Sequence, residues 1–256
     1  MSELERVSAS GEQIPEPVVA AKSQPPSSPI YGVVNPGPQA KICMLIPTGI
    51  TCDVRWGFMF PQLLSDLPPG SNYFADYRYG LAETREALVT QALTTVPDIT
   101  HILFVDNDCI PLTPNPIKTL LADDKPIITG AYFNSLFTGL AAWKNEGALQ
   151  IRTPNQPFLQ ECDKTGFGFT LIKKEVFDAM KDEPRPWFYY TVDSGIMKMQ
   201  SEDFYFIDKA KKYGYKPWVD LRVQLGHIKT VIINADGTIN GPPPHESQQP
   251  NAQGQK

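Results

Sequence analysis

Short runs of consecutive apolar residues alternate along the chain with segments whose apolar residues recur at helical spacing. Residues 42–46, 102–105 and 126–133 predict strands that are buried on both faces, because such strands lack the alternation of half-exposed ones. Residues 81–93 and 116–122 have the periodicity of helices. This β-α-β order predicts a single α/β domain with a mixed, mainly parallel sheet flanked by helices.

The second half of the chain continues the same alternation. Residues 166–172 predict another strand, and residues 173–180 begin a helix. An amphipathic helix starts at Ser201, a favourable N-cap, and ends at Gly214. A last strand follows at residues 216–220.

The two ends of the chain differ from this pattern in composition. Residues 1–39 are rich in proline, serine, glutamate and glutamine, and residues 236–256 are polar after a run of three prolines. Such segments bury too little apolar surface to offset the entropy of ordering them. We therefore expect two disordered tails around one folded domain at residues 40–235.

Composition excludes several classes of protein. The net charge of −5 argues against broad capture of nucleic acid. Four cysteines without a Cys-x-x-Cys pair favour neither a zinc site nor a disulfide framework. No apolar run approaches the roughly 18 residues that span a bilayer, and the N-terminus lacks a signal-type apolar core. These features predict a soluble, cytoplasmic protein without a transmembrane segment, in the host cytoplasm if the chain is viral.

An acidic stretch, Asp106-Asn107-Asp108, directly follows the buried strand at residues 102–105. In open α/β sheets, ligands bind beyond the carboxyl ends of the strands. If the backbone stays extended, both carboxylates project to one side, where a hard divalent cation is their natural partner. The alternative is an ordinary turn, since Asp and Asn favour turns and Pro111 ends ladder pairing.

The loop after the first strand is a second candidate ligand contact. Pro47 and Thr48 lie where the base or ribose of a nucleotide binds in α/β nucleotide sites. The loop is not glycine-rich, so neither a P-loop nor a dinucleotide fingerprint is present. The alternating aromatic residues Trp56, Phe58 and Phe60 are interpreted as core packing at a strand edge or helix flank.

Five further charged or polar residues are candidates for chemistry. Arg78 and Arg85 lie near the start of the first predicted helix, where we expect one of them to reach a phosphate. The alternative is that Arg85 pairs with Glu86 or another surface acid. Glu202 and Asp203 occupy the first turn of a helix, where acids also complement the helix dipole. His227 is one of three histidines in the chain and is either a metal ligand or a satisfied loop residue.

Taken together, these motifs resemble a known family. Their order along the chain is similar to that of GT-A fold glycosyltransferases. The motifs are, in sequence order, Ile-Leu-Phe-Val-Asp-Asn-Asp, Ile-Ile-Thr-Gly-Ala-Tyr-Phe, Gly-Phe-Gly-Phe-Thr-Leu-Ile, Ser-Glu-Asp-Phe-Tyr-Phe, Gly-Tyr-Lys-Pro-Trp-Val-Asp and Leu-Gly-His. The small family-2-like enzymes of phage, archaea and bacteria are the closest in pattern. The resemblance covers residues 41–228 and implies a GT-A-like, Rossmann-related fold.

The resemblance also implies an activity and a set of ligands. The chain is expected to move a sugar from a nucleotide-diphosphate sugar to a hydroxyl of an unknown glycan, lipid or protein acceptor. Asp108 would bind Mn²⁺ or Mg²⁺ on the donor diphosphate, Asp106 would approach the ribose or the metal, and His227 would complete the metal shell. The glycine-containing strand would line the acceptor side.

Catalysis is assigned to the acids of the late helix. An inverting enzyme needs a general base for the acceptor hydroxyl, and the resemblance favours Asp203 in this role with Glu202 assisting. A retaining enzyme needs no such base, and the sequence leaves this choice open. Three other interpretations also remain. One is a nucleotidyltransferase, although its glycine-rich basic loop is missing, and another is a non-catalytic nucleotide- or glycan-binding module. The third is a scaffold that binds partners through the proline-rich tails at Pro25-Pro26 and residues 242–244.

Overall fold

The computed structural model describes residues 39–49, 52–78, 80–134, 139–145, 147–149, 156–193, 198–229, 232–233 and 239–240. The predicted N-terminal tail lies outside these residues except for its last member, so its disorder stays a prediction. Among the described residues, no helix is long and apolar enough to cross a membrane.

The described chain contains five helices and fifteen strands. The helices are α1 (Val54–Asp66), α2 (Leu81–Thr95), α3 (Pro116–Ala122), α4 (Lys174–Ala179) and α5 (Glu202–Lys212). The strands are β1 (Ile42–Pro47), β2 (Asn72–Asp76), β3 (His101–Val105), β4 (Cys109–Pro111), β5 (Ile127–Ala131), β6 (Ala142–Lys144), β7 (Gly147–Ala148), β8 (Leu159–Glu161), β9 (Lys164–Thr165), β10 (Phe169–Lys173), β11 (Thr191–Asp193), β12 (Lys198–Gln200), β13 (Pro217–His227), β14 (Ile232–Ile233) and β15 (Ile239–Asn240).

An eight-stranded sheet organises the domain. Its order is β2-β1-β3-β10-β5-β13-β4, and β8 pairs with β13. Strands β1, β2, β3, β5 and β13 run in one direction, whereas β4, β8 and β10 run against them. This is the mixed, mainly parallel sheet that the sequence predicts, and the α/β fold class is confirmed.

Helices cover both faces of this sheet. On β3, Ile102 and Phe104 pack into a cluster with residues of α2, α4 and α5, while Leu103 and Val105 pack into a second cluster with residues of α1 and α3. All four side chains are fully buried. The continuous apolar run of β3 therefore reflects burial on both faces, as predicted.

Helix α1 and strand β2 are missing from the sequence-based prediction. Pro61 lies inside α1 and obscures its helical pattern, while Asp53 caps the helix by accepting a hydrogen bond from the Arg55 amide at 2.8 Å. Of the three aromatic residues predicted to pack in the core, Trp56 is buried but Phe58 is 75% exposed. Strand β2 is an edge strand with mostly exposed or half-buried residues, so it lacks the apolar run of β1.

Two other boundaries are corrected. Pairing does not end before Pro111, because β4 pairs with β13 and places Pro111 opposite Leu225. The missing amide is tolerated there because β4 is an edge strand. At the end of the chain, β15 lies inside the predicted C-terminal tail and pairs with β14, so described structure extends past residue 235.

Candidate active site

The Asp-Asn-Asp stretch forms a tight turn between β3 and β4. The Cys109 amide donates a hydrogen bond to the Asp106 carbonyl at 3.0 Å, and the Asp106 amide donates to the Gly168 carbonyl at 2.9 Å. The backbone is therefore not extended, so the turn that was the alternative expectation is observed. Each carboxylate instead has its own set of partners.

Asp106 is bound by a buried arginine. Both Asp106 carboxylate oxygens accept hydrogen bonds from Arg85 Nη2 at 3.0 Å, and Arg85 Nη1 donates to Glu202. The Arg85 side chain is only 2% exposed. Its guanidinium lies over the rings of Phe104 and Phe167, at 5.7 Å and 5.6 Å from their centroids. A single cation thus links the turn after β3 to the first residue of α5.

This contact changes the roles expected for two residues. Burial lowers the pKa of Arg85, but the charges of Asp106 and Glu202 outweigh it and raise the pKa. A guanidinium that is buried and bound to two acids does not reach a phosphate, so the predicted phosphate contact of Arg85 is corrected to an internal ion pair. The alternative pairing with Glu86 is also not observed, since Glu86 binds Arg185.

Asp108 has a more open environment. Its Oδ2 atom lies 2.8 Å from Lys229 Nζ and 3.2 Å from His227 Nε2, and its carbonyl accepts from the Ile228 amide at 2.7 Å. Burial opposes ionisation of Asp108, but the hydrogen bonds from His227 and Lys229 dominate and lower its pKa to about 2. The end of β13 therefore delivers two nitrogen groups to one ionised carboxylate.

The orientation of His227 is fixed by a backbone carbonyl. His227 Nδ1 lies 2.7 Å from the Phe133 carbonyl, which can only accept a hydrogen bond, so Nδ1 carries a proton. Nε2 then faces the Asp108 carboxylate 3.2 Å away. The position between these two atoms suits a proton on Nε2, as in an ion pair, or a metal ion that takes its place. A backbone carbonyl that fixes the ring in this way is typical of metal-binding histidines.

The described side chains that converge here fit a divalent ion. Ligand atoms of Asp108, Cys109 and His227 lie within 4.8 Å of one another. Burial raises the pKa of the Cys109 thiol well above its usual range, so this thiol stays protonated and is a weak ligand. Asp106 does not join the cluster, and its predicted metal contact has no support in this geometry.

A cleft of about 280 Å³ adjoins the turn. Its lining includes Pro47, Thr48, Arg78, Asp106 and Asp108, so the two residues predicted to contact a nucleotide lie beside the two acids. Both the amide and the hydroxyl of Thr48 donate to one carbonyl at the end of β2, at 2.9 Å and 3.2 Å. The loop after β1 is thereby held at the carboxyl edge of the sheet.

The two acids of α5 lie in different surroundings. Glu202 is 3% exposed and bound to Arg85, whereas Asp203 is half-buried. Burial and the neighbouring charge of Glu202 raise the pKa of Asp203 to about 6, against the opposing effect of Arg85. Ser201 is the N-cap residue as predicted, but its hydroxyl donates to the Asp203 carboxylate and accepts no hydrogen bond from a backbone amide of α5.

Two glycines allow these groups to approach one another. A Cβ on Gly166 would lie 2.5 Å from the Tyr132 hydroxyl and 3.5 Å from Asp203 Oδ2. A Cβ on Gly168 would lie 2.6 Å from Cys109 Sγ, and the Gly168 amide donates to the Tyr132 hydroxyl at 2.9 Å. Both glycines precede β10 and do not lie inside it, and what approaches them is mainly the Tyr132 side chain.

Three residues of this site are not singled out by any sequence pattern. Tyr132 packs edge-on against the His227 ring, with centroids 5.4 Å apart, and Cys109 and Lys229 contact Asp108. A signal for Lys229 exists, since it follows His227 by two residues. Lysine is so common on surfaces that this spacing alone does not distinguish it.

Comparison with known proteins supports the fold. No family model matches the chain, and no curated protein sequence matches it significantly. The crystal structure of A197 from STIV is similar over 83% of this chain and 99% of its own, with a TM-score of 0.55 and 18% identity. That similarity shows a shared fold.

Two more distant structures also align. GalNAc-T7, solved with UDP, GalNAc and Mn²⁺, is 12% identical with a TM-score of 0.45, over 75% of this chain and 44% of its own. A mutant of Drosophila beta-1,4-galactosyltransferase 7, solved with manganese, UDP-Gal and xylobiose, is 14% identical with a TM-score of 0.45, over 75% and 71%. With TM-scores below 0.5, these two similarities add nothing to the conclusion that the first structure supports.

Proposed function

We propose that this protein is a metal-dependent glycosyltransferase that moves a sugar from a nucleotide-diphosphate sugar to an acceptor hydroxyl. The observation that carries the proposal is the pair of potential metal ligands formed by Asp108 and His227, which face each other at 3.2 Å beside the cleft. This pair lies at the carboxyl edge of the sheet, where α/β proteins bind their ligands. The order of motifs along the chain supports the same activity.

Asp108 and His227 are the proposed protein ligands of Mn²⁺ or Mg²⁺. A divalent ion at this position would stabilise the negative charge that develops on the leaving diphosphate. The contact of His227 Nδ1 with the Phe133 carbonyl fixes the orientation of the imidazole ring before a metal ion binds. Asp108 is ionised at neutral pH because its pKa is lowered to about 2, so it needs no proton release to bind a cation.

The cleft is the proposed site of the donor nucleotide. Pro47, Thr48 and Asp106 line it. Because Arg85 holds both oxygens of Asp106, this carboxylate has a fixed position toward the nucleotide. Arg78 also lines the cleft, and its side chain is 56% exposed, so it replaces Arg85 as the candidate phosphate contact before α2.

Asp203 is the proposed general base of an inverting reaction. A base works best when its pKa is close to the working pH, and the pKa of Asp203 is raised to about 6. Glu202 is not available for this task because it is buried against Arg85. We therefore assign Glu202 a positioning role, in which it holds the start of α5 against the turn after β3.

Calorimetry with UDP and GDP, with and without Mn²⁺, tests the donor and metal sites. We expect one of the nucleotides to bind, and binding to fall at least tenfold when Mn²⁺ is removed with a chelator. Asp108→Asn should lose the Mn²⁺-dependent part of the binding, and Asp124→Asn is its matched control, since this carboxylate is exposed and paired with Lys173 away from the cleft. Hydrolysis of UDP- and GDP-sugars then tests the activity. Metal-independent binding, or no hydrolysis of any donor, would contradict the proposal.

A further inference from the structure

Lys229 is a cation placed where a metal ion would have to bind. Its ammonium lies 2.8 Å from Asp108 Oδ2, and His227 Nε2 lies 3.2 Å from the same oxygen. Oδ2 is the Asp108 oxygen that His227 Nε2 faces, so a divalent ion that binds both residues through it approaches the atom that Lys229 occupies. Because two cations on one oxygen repel, Lys229 and the metal ion compete for this contact.

The side chain of Lys229 is able to leave Asp108. It is 29% exposed, and it follows the last residue of β13 by two positions. Lysine carries its charge on a flexible stem of four carbons, so the ammonium can move several ångströms without a change in the backbone. The buried guanidinium of Arg85, bound to two acids on rigid elements, has no such freedom.

A displaced Lys229 would need a new anion. Of the two arginines near the cleft, Arg78 binds Asp76 at 2.8 Å and Arg85 binds Asp106 and Glu202. Among the described residues around Asp108, Lys229 is therefore the cation that metal binding would release. The anion expected at this site, under the proposed function, is the diphosphate of the donor.

We propose that Lys229 occupies the Asp108 carboxylate until a divalent ion displaces it, and that the released ammonium then pairs with the donor diphosphate. This inference rests on the proposed function for the identity of the anion. It makes binding of the metal and of the diphosphate cooperative, because each favours the position of Lys229 that the other requires. By linkage, the metal raises diphosphate affinity by the same factor as the diphosphate raises metal affinity.

The test compares Lys229→Met with the wild-type full chain in two titrations. The first measures Mn²⁺ binding alone, which should tighten by about twofold to fivefold, the range of an exposed ion pair that no longer competes. The second measures pyrophosphate binding at a constant, saturating level of free Mn²⁺. It should weaken by about tenfold or more, because a charge-assisted contact is lost.

A matched control separates this effect from a general loss of charge. Lys173 Nζ lies 2.6 Å from Asp124, its side chain is 22% exposed, and β10 places Lys173 opposite His101 at the far end of β3. Lys173→Met should leave both titrations unchanged. Melting temperatures of all three proteins show that each is folded, and Lys229→Gln repeats the test with a polar side chain.

The opposite signs of the two shifts decide the outcome. If Lys229→Met weakens Mn²⁺ binding or leaves both affinities unchanged, the displacement is wrong although the proposed function stands. If the wild type binds no Mn²⁺, both proposals fail. If the two shifts appear but no nucleotide sugar is hydrolysed, the displacement holds and the glycosyltransferase activity is what fails.

Discussion

Asp106 and Asp108 are two residues apart in one turn, yet they differ in almost every physical respect. Asp106 faces a fully buried guanidinium that binds both of its oxygens. Its pKa is raised by burial, with Arg85 acting in the opposite direction. Asp108 has a more exposed side chain, 38% against 24%, and its pKa is lowered to about 2 by His227 and Lys229.

The difference means that Asp106 keeps its ion-pair partners, whereas Asp108 can exchange its own. Breaking a buried ion pair leaves an uncompensated charge, so the partners of Asp106 stay in place. An exposed ion pair contributes little and exchanges readily, so Asp108 is free to change partners. One turn can thus hold one acid in position and offer the other to a ligand.

The largest expected effect follows from removing the fixed partner. Arg85→Met leaves Asp106 and Glu202 without their cation and should lower the free energy of unfolding by about 3–5 kcal/mol. Arg185→Met is the control, because Arg185 also pairs with a glutamate but its side chain is 42% exposed; its cost should be at most about 1 kcal/mol. Urea denaturation measures both. Equal losses in the two variants would show that Arg85 does not act as a buried link.

The next effect concerns the two acids in the first turn of α5. Asp203→Asn should lower turnover by roughly 10²–10⁴-fold without loss of nucleotide affinity or melting temperature, because it removes the proposed base. Glu202→Gln should instead lower stability, because Glu202 is buried against Arg85. If both acids only complement the helix dipole, each variant costs about 0.3–1 kcal/mol and turnover stays near normal.

The pH profile sharpens the same assignment. Asp203 must be ionised to accept a proton, so kcat/KM should rise with pH through about 6. Glu202→Gln should move this rise to lower pH, because the charge of Glu202 raises the pKa of Asp203.

The raised pKa of Asp203 also makes the free energy of unfolding depend on pH. The contribution of Asp203 to stability is fully present below about pH 4, near the pKa of an unfolded aspartate, and is lost as the pH rises through about 6. This loss of stability should be absent from Asp203→Asn. A kcat/KM profile that is flat near pH 6 would argue against Asp203 as the base.

A smaller effect tests the packing behind Asp108. Gly168→Ala places a Cβ 2.6 Å from Cys109 Sγ and 2.8 Å from the Tyr132 ring, and such overpacking typically costs about 1–3 kcal/mol. Gly57→Ala is the control, because no atom lies within 4 Å of its Cβ in α1, and it should stabilise the helix by about 0.5–1 kcal/mol. Thermal unfolding of the two variants should therefore shift in opposite directions. Shifts of the same sign would show that the contacts of Gly168 are not tight.

The sequence predicts most of the sheet and where its ligand edge lies. The apolar runs that became β1, β3 and β5 are buried on both faces, so their pattern needs no knowledge of the fold. Helix α1 is not predicted, since Pro61 interrupts its pattern. Nor is β2, because an edge strand with exposed residues has no apolar signal.

The candidate site is predictable in its members but not in their pairing. Asp106, Asp108, His227 and Asp203 are recognisable from their places at strand and helix ends. The burial of Arg85 is not, because its partner Glu202 lies 117 positions away and depends on how α2 and α5 pack. Local sequence equally cannot show that a turn, formed by one hydrogen bond at 3.0 Å, directs two nearby acids to different partners.

The central claim is that Asp108, and not Asp106, holds the metal. Mn²⁺ binding measured by electron paramagnetic resonance on Asp108→Asn and Asp106→Asn tests it most directly, since each variant is the control for the other. We predict that Asp108→Asn loses Mn²⁺ binding while it stays folded, and that Asp106→Asn keeps it. Loss of Mn²⁺ from Asp106→Asn together with normal binding by Asp108→Asn would contradict the account.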